Sequence, residues 1–343
     1  MTHPFGTADA FLAEIPGAGK ADIFMPAKSS TLVYLIHGVT GTPLEMKFLG
    51  RRLSRQGWDI YIPTLPGHCS TFREMIRSDE AAWLRQVVAQ LAFLRRHYDH
   101  LFVAGLSAGA LMALEGSLHV PVDGIGLLSP TLFYDGWNVP WTMRLLPFGI
   151  KRIPTLLQCL IFHFDGAPYG IKDPALQARI REAYHPFSQL RALARQLLSR
   201  LSRKGPEGPE RSASAEAVGY PVFSLKTLAD LDRLYRKVEK DLSSVKAPTL
   251  ILQAREDDFT SPKNAEFIYD GISSPDKKLV LLDDCYHVIT VDKQRNTVAE
   301  EMSKFVESHL GSGPDRFLAP PDRSRESNRE PARRPARRKG ISL

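Results

Sequence analysis

Residues 101–115 constrain the fold more than any other stretch. Leu101-Phe102-Val103-Ala104 is an apolar run of strand formers that leads into Gly105-Leu106-Ser107-Ala108-Gly109, a Gly-x-Ser-x-Gly motif. Ala110-Leu111-Met112-Ala113-Leu114-Glu115, a run of helix formers, follows directly. A strand, a tight turn and a helix in that order leave a serine hydroxyl exposed at the end of a sheet. Gly105 and Gly109 permit the bend because they carry no Cβ. The helix starting there aims its N–H groups and the positive end of its dipole at any anion formed beside Ser107. A serine in an ordinary βα turn looks the same locally, so the rest of the chain must supply its partners.

The flanking sequence repeats the strand–helix plan. Thr31–Ile36 (TLVYLI) reads as a buried strand ending at His37-Gly38-Val39-Thr40-Gly41. Pro43 opens a helix with Leu44, Phe48, Leu49 and Leu53 on one face, and Trp58–Ile62 is the next strand. Ala81–Arg96 carries apolar residues at helical spacing, and Gly124–Leu128 is a further strand. Such β–α–β alternation with short connections predicts an α/β fold, a mostly parallel sheet covered by helices on both faces.

The alternation stops at Ser129-Pro130 and resumes near Ala247-Pro248, a gap too long for a loop. Residues 131–245 are therefore expected to form an inserted helical cap, between a first core part at 31–130 and a second at 246–311. Its apolar run Val139–Phe164 is broken by Pro140, Pro147 and Pro154. The run suits either plain packing of the cap on the core or an interfacial element making transient membrane-surface contact. Gly205–Gly219 is rich in Gly, Pro, Ser and Glu, and Ser224–Leu242 is again amphipathic and helical. Thr249–Gln253 and Lys278–Leu282 are the returning strands, Ser261-Pro262 starts a helix between them, and Val298–Leu310 closes the core.

The net charge of +7 hints at nucleic acid, but its location removes the hint. Residues 312–343 hold nine Lys/Arg against four Asp/Glu, and the remaining body is close to neutral. That basic, Pro/Arg-rich tail is expected to be disordered, as residues 1–30 are expected to be an extension without clear periodicity. No nucleic-acid partner is expected. Met1–Lys28 lacks a basic region followed by an apolar one, no stretch is long and apolar enough to span a membrane, and Cys69, Cys159 and Cys285 have no metal-type spacing. These features together imply a cytoplasmic protein.

A serine hydroxyl needs an adjacent base to become a nucleophile, and the base needs an acid to fix its tautomer. Groups at the C-terminal ends of parallel strands can meet. Two histidines lie beyond Asp257. His309 falls within the closing helix and reads as a surface residue, whereas His287 follows the last strand and is the candidate base. Asp257 and Asp258 both follow TLILQ, and spacing divides them evenly; Glu256 is a poorer third, and Asp283 and Asp284 suit a turn. Two N–H groups must hold the oxyanion. Ala108, next after the serine, supplies one, and Val39 in the loop after the first strong strand supplies the other. His37 is expected to brace that loop by hydrogen bonds.

These stretches resemble the bacterial carboxylesterase and monoacylglycerol lipase group of the α/β-hydrolases. The likeness rests on His-Gly-Val-Thr-Gly at 37–41, Leu-Pro-Gly-His at 65–68, Gly-Leu-Ser-Ala-Gly at 105–109, Gln-Ala-Arg-Glu-Asp at 253–257 and Tyr-His-Val-Ile-Thr-Val-Asp at 286–292. It covers roughly 31–130 and 246–310, and not the insertion. It implies an α/β-hydrolase fold, Asp257 rather than Asp258 as the acid, and oxyanion N–H groups at Val39 and Ala108. Two departures stand out: Ala110 replaces a second glycine after the elbow, and the insertion is longer than a small esterase cap.

The expectation is a serine hydrolase that cleaves carboxylic esters through an acyl-serine, without metal or organic cofactor, acting on a small acyl ester or monoacylglycerol. Acyl transfer or thioester hydrolysis by the same triad is the rival enzymatic reading. A non-catalytic hydrolase-fold binding protein is the third. The His287–Asp292 spacing also fits the H-x-x-x-x-D pattern of some acyltransferases, read here as coincidence.

Overall fold

The computed structural model describes residues 5, 7–140, 149–164, 166–184 and 222–310. The tail at 312–343, the stretch 205–219 and residues 141–148 of the apolar run lie outside the described residues.

The elements run α1 (Ala8–Glu14), β1 (Ile23–Met25), β2 (Thr31–Ile36), α2 (Leu44–Ser54), β3 (Asp59–Ile62), α3 (Phe72–Arg77), α4 (Glu80–Arg95), β4 (His100–Leu106), α5 (Ala108–His119) and β5 (Gly124–Leu128). Then come α6 (Thr155–Gln158), β6 (Phe162–Phe164), α7 (Pro174–Tyr184), β7 (Val222–Ser224), α8 (Leu225–Asp241), β8 (Thr249–Ala254), α9 (Pro262–Gly271), β9 (Lys277–Leu282) and α10 (Arg295–His309).

Seven strands form one sheet in the order β1-β3-β2-β4-β5-β8-β9. All neighbours are parallel except β1, which pairs with β3 antiparallel. The mostly parallel α/β architecture expected from the sequence is therefore present. β2 is buried on both faces because its residues alternate between two cores. Leu32, Tyr34 and Ile36 pack with α4, α5 and α8, while Val33 and Leu35 pack with α2 and α10. This two-sided burial explains why TLVYLI reads as a continuous apolar run.

Local signals set the helix starts. Asp79 Oδ1 accepts from Ala82 N (2.8 Å) at the head of α4, and Ser224 Oγ accepts from Thr227 N (3.1 Å) at the head of α8. Ser261 occupies the N-cap of α9 with Pro262 first in the helix, but its hydroxyl donates to Asp135 instead of capping. At the start of β4, Asp123 Oδ2 accepts from both Arg95 Nη1 (2.8 Å) and Leu101 N (2.7 Å), fixing where the strand that delivers Ser107 begins.

Two expectations change. The segment before Thr31 contributes α1 and β1, and Phe5, Phe11, Ile15 and Phe24 are buried in the core. Its periodicity was invisible because β1 has only three residues. His309 is no surface residue: it is 8% exposed, its Nδ1 lies 2.7 Å from Phe305 O and its Nε2 3.1 Å from Asp276. The last turn of α10 carries it against the residue preceding β9.

Between β5 and β8, β6 and β7 pair as a separate two-stranded sheet, and α8 returns to pack on α5 and α4. In the apolar run Ile150 is buried, whereas Leu156, Leu157, Leu160 and Ile161 are 75%, 49%, 64% and 48% exposed.

Candidate active site

Ser107 stands between β4 and α5 with φ 56° and ψ −119°, a region that costs a non-glycine residue about 1–3 kcal/mol. The surroundings hold it there. Its N–H donates to Leu128 O at the end of β5 (2.8 Å), and its carbonyl accepts from Ala110 N (3.0 Å). A Cβ on Gly105 would lie 2.1 Å from the Gly109 carbonyl, and one on Gly109 would lie 2.5 Å from Ile36 O. Both glycines are thus required by close backbone approach, as the motif implied.

The loops after β8 and β9 meet each other at the same C-terminal edge of the parallel sheet as this turn. His287 Nδ1 lies 2.9 Å and 3.1 Å from the two carboxylate oxygens of Asp257. Asp257 Oδ1 also accepts from Phe259 N and Thr260 N, both at 2.9 Å, and Oδ2 from Gln253 Nε2 (2.9 Å). With Nδ1–H donated to Asp257, His287 Nε2 is the ring nitrogen left to accept a proton. Burial, the largest single influence, lowers the basicity of His287. The charge and hydrogen bond of Asp257, with Asp258 and Glu45 behind them, outweigh it and leave its pKa raised.

Among the described residues the Ser107 hydroxyl pairs with Thr131 Oγ1 (3.2 Å) rather than with His287. Nucleophile–base contacts commonly tighten only when substrate is seated.

Val39 lies in the loop that follows β2, and Ala108 directly follows the serine. Ala108 is the first residue of α5, and first-turn N–H groups have no partner within a helix. Neither the Val39 nor the Ala108 N–H donates to another group among the described residues. His37 braces the loop, with Nδ1 donating to Gly38 O (2.7 Å) and Nε2 accepting from Leu65 N (3.3 Å). Burial pushes its pKa down to about 3, so it is a neutral scaffold residue. His68 does the same one layer out. Its Nε2 accepts from Thr40 N (3.1 Å), and burial lowers it to about 4.

Four further residues border the triad, of which the sequence singled out only Asp258, as an alternative acid, and Asp292, within a motif. Thr131 is one. Glu45, in the first turn of α2, accepts from Gly38 N (3.3 Å), and burial raises its carboxyl to about 7 against the opposing effects of Gly38 and His287. Asp258 is fully buried; it accepts from Gly170 N (3.1 Å) and His287 N (3.4 Å), and burial followed by repulsion from Asp257 pushes it up to about 6. Asp292 accepts from backbone groups of both the insertion and the His287 loop. An acidic residue in a helix's first turn ordinarily reads as a dipole partner, which hid Glu45. Glu256 is half exposed and pairs with Lys172 (2.7 Å), and Asp284 pairs with the same lysine (3.0 Å) in a turn at φ 55°. Among the described residues no group of three His, Cys, Asp or Glu side chains is placed to hold a metal ion. No helix among them is long and apolar enough to cross a membrane.

Parallel strands that bring serine, aspartate and histidine to one edge, in that chain order, define an α/β-hydrolase. Residues 27–294 match the Hydrolase_4 family, described as serine aminopeptidase, S33, and the chain belongs to that family. Among relatives, a thermostable monoacylglycerol lipase of Bacillus sp. (strain H-257) is 25% identical over 298 residues, covering 87% of this chain and 99% of its own. A carboxylesterase of Bacillus subtilis (strain 168) is 26% identical over 276 residues, covering 80% and 92%. Among solved structures, a metagenome-derived lipolytic enzyme of the LipS and LipT pair superposes with a TM-score of 0.63 at 27% identity, covering 86% of this chain and 99% of that one.

Proposed function

We propose that the chain hydrolyses carboxylic esters by way of an acyl-serine. The observation that carries this is the buried Asp257–His287 pair at the same sheet edge as a serine held at a strained turn. Ser107 Oγ attacks the ester carbonyl as His287 Nε2 takes its proton. Asp257 keeps the imidazole in the accepting tautomer and stabilises the imidazolium. The Val39 and Ala108 N–H groups hold the oxyanion, an effect worth about 3–4 kcal/mol per donor in such sites. His287 protonates the departing alcohol, and water activated by the same nitrogen then releases the acid.

The substrate class is a medium-chain acyl ester or monoacylglycerol; the names of the two Bacillus relatives support a carboxylic ester or monoacylglycerol, and the chain length rests on the apolar insertion. Leu156, Leu157, Leu160 and Ile161 leave apolar surface on the insertion suited to contact with a lipid–water interface. The test is a rate profile over p-nitrophenyl esters from acetate to dodecanoate, with aminoacyl p-nitroanilides alongside because of the family's aminopeptidase description. Hexanoate to dodecanoate are expected to be fastest. A flat or reversed profile removes the chain-length reading, and faster anilide cleavage removes the esterase.

A further inference from the structure

Asp292 is 1% exposed and places both carboxylate oxygens on backbone donors. Oδ2 accepts from Lys172 N and Tyr286 N, each at 2.8 Å, and Oδ1 accepts from Asp173 N at 3.0 Å. One carboxylate therefore ties two consecutive residues of the insertion to the residue immediately before His287. The chain between them is a tight turn. Val291 N donates to Val288 O at 3.1 Å and Asp292 N to the same oxygen at 3.2 Å, folding the carboxylate back beneath residue 286.

We propose that Asp292 is a positioning residue for the reaction: it fastens the His287 loop to residues 170–173 of the insertion, so that the seat of the insertion sets the alignment of the base. The proposal rests on the assignment of His287 as base made under Proposed function. It also gives a use to the His287–Asp292 spacing, which the mechanism itself leaves idle.

A second set of contacts makes the junction stiff. Val288 N donates to Gly170 O at 2.7 Å, and Gly170 N donates to Asp258 Oδ2 at 3.1 Å. Asp258 Oδ1 in turn faces His287 N at 3.4 Å. Gly170 has φ +71°, and a Cβ there would meet Val288 Cγ2 at 2.9 Å and His287 Cβ at 3.1 Å. The insertion thus touches the base loop through one buried carboxylate on each side and direct backbone contact between them. Hydrogen bonds to ionised carboxylates are short and strong, so a shift of residues 170–173 is passed on to His287 rather than absorbed.

The test uses the full chain with Asp292→Asn, Gly170→Ala and the double variant. Asparagine keeps one acceptor and turns an NH2 toward a backbone donor; alanine at 170 pushes on the same junction from the insertion side. A misplacement of about 1 Å can cost about 100-fold in rate. Each single variant is therefore expected to lower kcat for p-nitrophenyl hexanoate by about 10- to 100-fold, with KM within about 3-fold. The rate constant for fluorophosphonate labelling should fall by the same factor. Because both substitutions act on one junction, the double variant should lose little beyond the worse single.

Folded variants with wild-type kcat and labelling rate, lowered only in melting temperature, would overturn the proposal, and so would a change confined to KM. If Asp292→Asn does not fold, Gly170→Ala decides alone by the same two readouts. A wild type that takes no label would instead defeat the assignment of Ser107 and His287.

Discussion

Replacing Asp257 by Asn changes one buried oxygen to a donor and leaves the side-chain shape intact. Two backbone donors, Phe259 N and Thr260 N, converge on Oδ1 at 2.9 Å, so the amide oxygen must stay there. The new NH2 then takes the place of Oδ2, facing His287 Nδ1 and Gln253 Nε2, both 2.9 Å from that oxygen. Nδ1 can answer an N–H only by becoming an acceptor. The ring proton moves to Nε2, and the nitrogen that should receive the serine's proton is blocked. In a Ser–His–Asp system the wrong tautomer lowers kcat about 10⁴-fold, equivalent to about 5 kcal/mol of barrier. The donor–donor contact with Gln253 costs about 1–3 kcal/mol of stability. The variant should therefore fold, melt a few degrees lower and be nearly inactive on p-nitrophenyl hexanoate. Asp258→Asn, measured beside it, should lose no more than about 100-fold, since it loosens the junction behind His287 but leaves the tautomer of the ring intact. A reversed pair of results would refute the assignment of the acid.

Glu45→Gln should act through pH. A carboxyl raised to about 7 in the folded state contributes stability below its ordinary value of 4.5 and loses it as pH rises through about 7. Glutamine does not titrate, so the variant's gain in melting temperature over wild type should grow between about pH 5 and about pH 8, and an equal gain at both would contradict the reasoning. Thr131→Val frees the Ser107 hydroxyl from a bond worth about 1 kcal/mol and should raise the labelling rate by up to about 5-fold; a slower rate would make Thr131 a helper rather than a competitor. Gly105→Ala sets a Cβ 2.1 Å from backbone atoms of Gly109 and should destabilise by about 3 kcal/mol or more, read as a lowered urea midpoint with lost labelling.

The parallel strands of the core and the serine turn were legible because they rest on local patterns: apolar strands bounded by Gly and Pro, and a glycine pair with no room for Cβ. His287 was legible as the histidine following a late strand. The choice between Asp257 and Asp258 was not settled by spacing, because it depends on which way the turn after β8 throws two neighbouring side chains. Gly170, 88 residues away, receives one of them. The resemblance, not the pattern, selected Asp257. The partners of Asp292 and Thr131 were equally hidden, since only the fold brings them together. The insertion was recognisable as an interruption, but its Pro-broken amphipathic sequence did not tell that α8 would pack on α5, or that residues 170–173 would lie against the base.

The most direct test of the account is intact-mass and peptide mapping of the full chain after treatment with a fluorophosphonate. One adduct per chain on the peptide containing Ser107, absent from Ser107→Ala and strongly slowed in Asp257→Asn, is the predicted result. No adduct on the folded wild type, or an adduct that persists in Ser107→Ala, would contradict it.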